Sequence, residues 1–126
     1  MRNPFSKIEL GRRGEEQAVE CLTQNGYRIL SRNLRTKFGE IDVVAREGET
    51  LCFVEIKARS TARFGWPEEG VTREKQWRLA RLASWYISRR RFTGPVRFDV
   101  VSILYDPKGA PARTRLIKGA FEAPSV

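Results

Sequence analysis

Residues 39–59, which read GEIDVVAREGETLCFVEIKAR, constrain the fold more than any other stretch of this chain. Two apolar runs on either side of Gly48 are typical of a β-hairpin. Side chains alternate between the two faces of a strand, so Phe53, Glu55 and Lys57 share one face of the second run, and the opposite face is entirely apolar. A strand that is apolar on both faces usually lies inside a sheet. Its charged end is therefore predicted to open into a cleft.

Folding this hairpin about Gly48 brings Asp42 opposite, or one step from, Val54 or Glu55, and the sequence leaves the register open by one residue. Asp42, Glu55 and Lys57 are then expected to converge. Two carboxylates beside an ammonium group suit Mg²⁺, or Mn²⁺, because these ions prefer oxygen ligands. Such an ion polarises a phosphate and activates water, and a nearby lysine can orient that water. The alternative interpretation is an ion pair on an exposed edge strand.

The charge of the chain indicates a polyanionic partner. The 126 residues fit one domain over 1–126, with a net charge of +9 and a pI near 10.3. Nucleic acid is the first candidate and an anionic membrane the second, while a solvated cationic surface without a specific partner is the alternative. No run approaches the roughly 20 apolar residues of a membrane span, and no signal peptide is evident. A cytoplasmic protein with no membrane partner is expected.

The residue types exclude several chemistries. The chain contains no histidine, which excludes Ser-His-Asp and Cys-His catalysis and histidine metal ligands, so a metal would be held by oxygen. Cys21 and Cys52 lie in apolar contexts without a C-x-x-C spacing, and both are expected to be reduced core residues.

Periodicity predicts an α/β sandwich around a mixed sheet. We expect, in order, an irregular lead-in over 1–10, a helix over 11–25, a strand over 27–33, a basic connection over 34–38, the hairpin over 39–59, a loop over 60–70, a helix over 71–90, a strand over 96–105, a short strand over 112–118 and a tail over 119–126.

Two further carboxylates are candidates for the site. Glu15 shares a helix face with Ala18 and Leu22, and this placement has two interpretations: a favourable charge near the positive end of the helix dipole, or another metal ligand reaching toward Asp42. Glu40 lies two residues before Asp42 and so shares its strand face. Glu40 is either an auxiliary ligand to metal or water, or a solvated residue at the mouth of the strand.

Basic residues along the chain are candidates for holding phosphates, with exposed solvated side chains as the alternative. The loop over 60–70 adds Phe64 and Trp66, which could stack on a base or pack beneath the loop. A membrane-surface role is disfavoured, because the apolar stripe of the 71–90 helix is expected to pack on the core. The candidate nucleic-acid-binding residues are Arg12, Arg13, Arg35, Lys37, Arg59, Arg63, Arg73, Lys75 and Arg78.

The D-x(n)-E-x-K pattern across the hairpin resembles the PD-(D/E)XK nuclease superfamily, and the chain more closely resembles the YraN-like family of small predicted endonucleases. Ile41 stands where the superfamily usually has a proline. Because proline coordinates no metal, this difference does not weaken the prediction of a metal site. The residues that carry the closer resemblance cover nearly the whole chain in order: Gly14-Glu15, Gly26-Tyr27, Asn33, 39–42, 53–59, Phe64-Gly65, Lys75-Gln76, 97–101 and Ala120-Phe121.

The resemblance implies a restriction-endonuclease-like α-β-β-β-α-β core, similar to that of archaeal Holliday-junction resolvases. It implies an Mg²⁺-dependent endonuclease acting on DNA, with branched or junction DNA as one candidate substrate and a homodimer as the expected assembly. The alternative is a non-catalytic or accessory nucleic-acid-binding protein on a nuclease fold. In the enzyme, Asp42, Glu55 and the backbone carbonyl of Ile56 would hold the metal and Lys57 would orient or activate water, with Glu15 completing the acidic cluster and Lys75 or Gln76 reaching the site.

Overall fold

The computed structural model describes residues 7–59, 71–106, 108 and 110–123. Within them two helices and five strands follow the predicted α-β-β-β-α-β order, and one further strand comes last. Their bounds are α1 Lys7–Gln24, β1 Arg28–Thr36, β2 Gly39–Glu47, β3 Thr50–Arg59, α2 Arg73–Arg90, β4 Val96–Tyr105 and β5 Pro111–Phe121.

The sheet is mixed and its strands lie in chain order, β1-β2-β3-β4-β5. Neighbouring strands are antiparallel except β3 and β4, which run parallel from the pair Leu51–Val96 to the pair Arg59–Leu104. Parallel neighbours need a crossover connection, and α2 lies in that connection. In the chain, α2 is therefore the helix that follows the charged end of β3.

Each helix covers one face of the sheet. The α1 face buries Ala18 and Leu22 against strand residues such as Val54. On the α2 face, Leu79 and Tyr86 pack against strand residues that include Phe53 and Phe98. The Phe53 ring meets Tyr86 edge-on, with centroids 5.5 Å apart. The predicted alternation along β3 is confirmed, since its odd-numbered apolar residues face α2 and its even-numbered ones face α1.

A glycine sets the distance between α1 and β3. A Cβ atom at Gly14 would lie 3.0 Å from the Cβ of Ala58. Only a residue without a side chain lets the helix backbone come this close to the strand, so Gly14 fixes where α1 rests on the end of β3.

Both ends of α2 are capped. The Thr72 side chain accepts a hydrogen bond from the Lys75 amide at 3.1 Å, which fixes the first turn. Arg91 ends the helix in the left-handed conformation (φ 52°), and its amide donates to carbonyls of the last turn. Glycine is the usual residue at such a position.

The β-structure is longer than the sequence predicted, and so is α1. The lead-in over 1–10 is wrong for 7–10, because α1 begins at Lys7. The basic connection over 34–38 is wrong for its first half, since β1 pairs with β2 as far as Thr36 opposite Gly39. The tail over 119–126 is wrong for 119–121, because β5 continues to Phe121, whose ring stacks on Phe98 at 5.0 Å. The β1 extension pairs with β2 across a tight turn, whereas the β5 extension depends on β4, whose residue Phe98 lies more distant in sequence. The 60–70 loop, with Arg63, Phe64 and Trp66, lies outside the described residues.

A buried polar network links strands of the sheet at the end opposite the charged end of β3. Asp99 is fully buried and accepts hydrogen bonds from the Tyr27 hydroxyl at 2.7 Å, Arg97 Nε at 2.8 Å and the Gly119 amide at 2.9 Å. Burial acts to raise the pKa of Asp99, but these donors hold it below its ordinary value. Arg97 also contacts Glu47 at 2.7 Å, so one arginine ties β2 and β4 together.

Candidate metal and catalytic site

The site lies where β2 and β3 separate. Their paired register stops at Val43 opposite Val54. One residue further along, the Asp42 carboxylate accepts a hydrogen bond from the Ile56 amide at 2.7 Å. A buried amide needs an acceptor, so the side chain of Asp42 supplies what the diverging strand no longer does.

The backbone of Ile56 offers an oxygen at the same place. A residue in an antiparallel ladder directs its N–H and its C=O toward the same neighbouring strand. Because the Ile56 amide points to Asp42, its carbonyl also faces the gap between the strands. The Ile56 carbonyl, as a third ligand beside Asp42 and Glu55, stays a prediction.

The two carboxyl groups oppose each other electrostatically. Burial, followed by the nearby charge of Glu55, raises the pKa of Asp42 to about 6, and the Ile56 amide and Lys75 partly offset this. Glu55 is only 7% exposed. Such a pair favours a bound cation, because the cation removes the repulsion.

Two lysines accompany the carboxylates. Lys75, held by the first turn of α2, places its Nζ 2.7 Å from Glu55 Oε1. Lys57 follows Glu55 on the same face of β3, and its pKa is lowered by burial and then by the neighbouring Lys75. The site thus combines two acids with two bases, and Lys75 is the one in direct contact with an acid.

Asp42, Glu55 and Lys75 border a cleft of about 260 Å³ between the sheet and α2, which we call the catalytic cleft after the role proposed for it below. The sheet side contributes carboxylates, and α2 contributes both basic and apolar side chains. Its lining residues are Phe38, Gly39, Glu40, Asp42, Glu55, Lys75, Arg78, Leu79 and Leu82.

Glu40 lies at the mouth of the catalytic cleft. Its side chain is exposed, and its carboxylate is 3.8 Å from Arg35 Nε. This position fits both of its predicted roles, a solvated residue and an outer ligand, and neither is excluded.

Glu15 and Gln76 form contacts away from the catalytic cleft. Glu15 Oε1 accepts hydrogen bonds from Asn33 Nδ2 at 2.7 Å and from Arg32 Nε at 3.1 Å. Gln76 Nε2 donates to the Val71 carbonyl at 3.3 Å. Neither residue lines the catalytic cleft. Their catalytic roles stay predictions.

The residues fit a hard divalent cation. In the described part of the chain no group of three or more acidic or cysteine side chains is arranged around one point. Mg²⁺ does not need such a group, because it commonly takes one or two carboxylates and completes its shell with water and substrate phosphates. Asp42 and Glu55 are two carboxylates that could bind such an ion, and the Ile56 carbonyl stays a predicted ligand.

The predicted phosphate-binding residues fall into two groups. Arg78 lines the catalytic cleft and Arg73 is exposed at the start of α2, while Arg59 is exposed at the end of β3. Arg12 and Arg13 lie on α1, the helix that covers the other face of the sheet.

Neither described helix is long and apolar enough to cross a membrane.

An aromatic contact at the mouth of the catalytic cleft was missed from the sequence. The Phe38 ring has Lys37 Nζ at 5.3 Å and the Arg81 guanidinium at 5.3 Å from its centroid. The signal for Arg81 was its spacing, since residues three apart on a helix are surface neighbours and Arg78 was already a candidate. No comparable local signal marks Phe38.

The fold belongs to a class with a solved representative. The chain is similar to Hjc from Archaeoglobus fulgidus, a Holliday junction resolvase from an archaeal hyperthermophile, with a TM-score of 0.51 and 20% identity over 86% of this chain and 76% of that one. The restriction-endonuclease-like fold expected from the sequence is confirmed.

Residues 14–103 match the family described as uncharacterised protein family UPF0102, and the chain belongs to this family. A relative from Caldicellulosiruptor saccharolyticus is 45% identical over 118 residues, which are 93% of this chain and 100% of the relative. Another, from Symbiobacterium thermophilum, is 50% identical over 115 residues, covering 90% and 97% of the two chains. Both are named only as UPF0102 proteins, and the YraN-like resemblance is confirmed.

Proposed function

We propose that this protein is a metal-dependent endonuclease that hydrolyses phosphodiester bonds in DNA, with branched or junction DNA as its candidate substrate. The observation that carries the proposal is the convergence of Asp42, Glu55 and the backbone of Ile56 where β2 and β3 separate, beside Lys57. The resolvase-like fold and the net charge of +9 support a DNA substrate.

In this mechanism Asp42, Glu55 and the Ile56 carbonyl would hold Mg²⁺ or Mn²⁺. The ion would polarise the scissile phosphate and lower the pKa of a bound water. Lys57 donates a hydrogen bond that orients the attacking water, and its lowered pKa makes the neutral amine, which can accept a proton from that water, easier to form than in an ordinary lysine. Arg78, on the wall of the catalytic cleft, holds a phosphate of the same strand.

One observation favours a second candidate function, a non-catalytic or accessory DNA-binding protein. Lys75 already lies 2.7 Å from Glu55 and supplies positive charge where a metal ion would otherwise supply it. A site satisfied in this way could keep its shape without turnover. In that case DNA affinity would not depend on metal or on Asp42.

The deciding experiment is cleavage of labelled duplex, nicked, flap, single-stranded and four-way-junction DNA with Mg²⁺, Mn²⁺ or EDTA. Asp42→Asn and Lys57→Ala are each expected to reduce the rate by at least about 100-fold. The matched controls Glu20→Gln and Lys108→Ala change exposed residues of the same charge and should cut normally. Binding without cutting, unchanged in both site variants, would leave the second candidate function.

Two subsidiary proposals accompany the nuclease. A four-way junction has two strands to cut, so we propose a homodimer. Sedimentation that gives a monomer mass throughout the micromolar range would count against it.

Both cysteines are free thiols, Cys52 being fully buried, and this supports the proposed cytoplasmic location.

A further inference from the structure

A second cleft, of about 460 Å³, lies at the other end of α2 and takes no part in the proposed chemistry. We call it the distal cleft. It is formed by the last turn of α2, the chain that follows it, and the neighbouring parts of β1, β2 and β3. Its lining residues are Leu30, Arg46, Glu49, Leu51, Tyr86, Arg90, Arg91, Phe92, Thr93 and Gly94.

Three arginines give the distal cleft its character. Arg46 Nε is buried and has no hydrogen-bond partner among the described residues. A buried donor without an acceptor is unfavourable, so this guanidinium is suited to an acceptor that arrives from outside. The Arg90 guanidinium lies 3.8 Å from the centre of the Tyr86 ring, which fixes its plane. Glu49 is the one carboxylate among the lining residues, and it is exposed.

Arg91 provides independent support. It adopts the left-handed backbone conformation at the end of α2, where glycine would be less strained. An unfavourable backbone conformation at a non-glycine residue points to a use for its side chain. The adjacent chain is closely packed, since a Cβ atom at Gly94 would lie 2.7 Å from the Phe92 ring.

A row of cations joins the two clefts. Arg78, Arg81 and Arg89 lie on one flank of α2, at spacings that return to the same side of the helix. Trp85 lies between them, with the Arg89 guanidinium 5.1 Å from its ring. We call these four residues the basic track. The track supplies positive charge between the catalytic cleft and the distal cleft.

We infer that the distal cleft binds a backbone phosphate of the DNA arm whose scissile phosphate occupies the catalytic cleft. This inference rests on the proposed function for the identity of the ligand. The fifteen helical steps from Lys75 to Arg90 span about 22 Å of helix, which corresponds to roughly six or seven base pairs of duplex. An arm must extend at least that far from the cut to reach Arg46, Arg90 and Arg91.

The test is DNA binding in EDTA, where no cleavage occurs, with hairpin duplexes of about 5, 10 and 20 base pairs. Arg91→Gly is the informative variant, because glycine suits the left-handed position and the fold should be at least as stable. It is expected to weaken binding of the two longer duplexes about fivefold and to reduce the salt slope by about one, leaving the shortest duplex unaffected. Arg46→Gln should behave alike. Arg113→Gln, an exposed arginine on β5, is the control.

The possible results separate this inference from the nuclease proposal. Wild-type affinity of Arg91→Gly for every duplex would overturn the inference, as would an equal loss in Arg113→Gln. Stabilisation of the wild type by inorganic phosphate, without any dependence on duplex length, would also overturn it and indicate a small-anion site. If the variants lose DNA affinity only for the longer duplexes and the wild type never cuts DNA, the result would support the proposed role of the distal cleft and contradict the nuclease proposal.

Discussion

The Asp42 carboxylate and the Ile56 amide, fourteen residues apart in sequence, are joined by a 2.7 Å hydrogen bond at the point where β2 leaves β3. This bond connects the first acid of the site to the backbone beside the second. It makes Asp42 part of the sheet as well as a candidate ligand. Changes at Asp42 should therefore alter stability and chemistry in separable ways.

The first prediction concerns the charge of Asp42 in metal-free protein. The pKa of Asp42 is raised in the folded state to about 6, so protonation of Asp42 stabilises the folded protein. This stabilisation is complete below the unfolded pKa near 4 and is lost as the pH rises through 6. We expect the free energy of unfolding in EDTA to decrease between pH 4 and pH 8 by about 1–3 kcal/mol from this group. Urea unfolding of Asp42→Asn, which keeps an oxygen acceptor for Ile56, should lack that decrease.

The comparison variant is Asp42→Ala. It removes the acceptor and leaves the Ile56 amide unsatisfied, so it should be less stable than Asp42→Asn by about 1–2 kcal/mol. Equal stability of the two variants would show that the hydrogen bond contributes little.

The second prediction concerns the contact of Lys75 with Glu55. Lys75→Met removes a positive charge 2.7 Å from a candidate ligand, so Mn²⁺ should bind about three- to tenfold more tightly. Isothermal titration calorimetry measures the affinity directly. Lys75→Arg, which keeps the charge, should bind Mn²⁺ like the wild type, and unchanged or weaker binding by Lys75→Met would contradict the proposed competition.

The third prediction concerns the buried Asp99. Asp99→Asn should reduce the free energy of unfolding at pH 7 by about 3 kcal/mol, because Arg97 loses its fully buried charged partner and keeps only the partly exposed Glu47. The pKa of Asp99 is lowered in the folded state, so the ionised carboxylate stabilises the folded protein. This stabilisation is present above the unfolded pKa and is lost as the pH falls below about 4.

Acid titration of the wild type and Asp99→Asn, followed by circular dichroism, tests the sign of this effect. The stability difference between the two proteins should become smaller toward low pH. A difference that stays constant down to about pH 2 would show that the Asp99 charge is not its cause.

The fourth prediction concerns the approach of α1 to β3. Gly11→Ala should stabilise the protein by about 0.5–1 kcal/mol, since Gly11 lies in the helix and an alanine Cβ there would meet no packed neighbour within 4 Å. Gly14→Ala has the same helical advantage but meets Ala58 at 3.0 Å, so it should be less stable than Gly11→Ala.

A double-mutant cycle isolates the steric contribution. In an Ala58→Gly background the Cβ of residue 58 is absent, and Gly14→Ala should approach the effect of Gly11→Ala. Thermal unfolding of the four proteins gives the coupling. No coupling between positions 14 and 58 would show that α1 is not limited by this contact.

Local periodicity was enough to predict much of the sheet and its acidic site. The alternation along β3 placed Phe53 and Glu55 on one face, and the turn at Gly48 limited the register so that Asp42 had to lie near Glu55. Strand β4 was predicted with its observed bounds, because its residues form one largely apolar run. These features depend on neighbours within about twenty residues, where the period of a strand and the geometry of a tight turn decide the arrangement.

Contacts between separate elements were decided only by the tertiary structure. Sequence placed Glu15 on the apolar face of α1, but packing of α1 against β1 directs its carboxylate to Arg32 and Asn33, seventeen and eighteen residues away. The contact of Lys75 with Glu55, and the meeting of Arg46 with Arg90 and Arg91, likewise join elements across the α2 face of the sheet. The sequence alone determined the fold class and the acidic pair. The partners of each charged side chain depended on how closely the helices pack on the sheet, and no local pattern contains that distance.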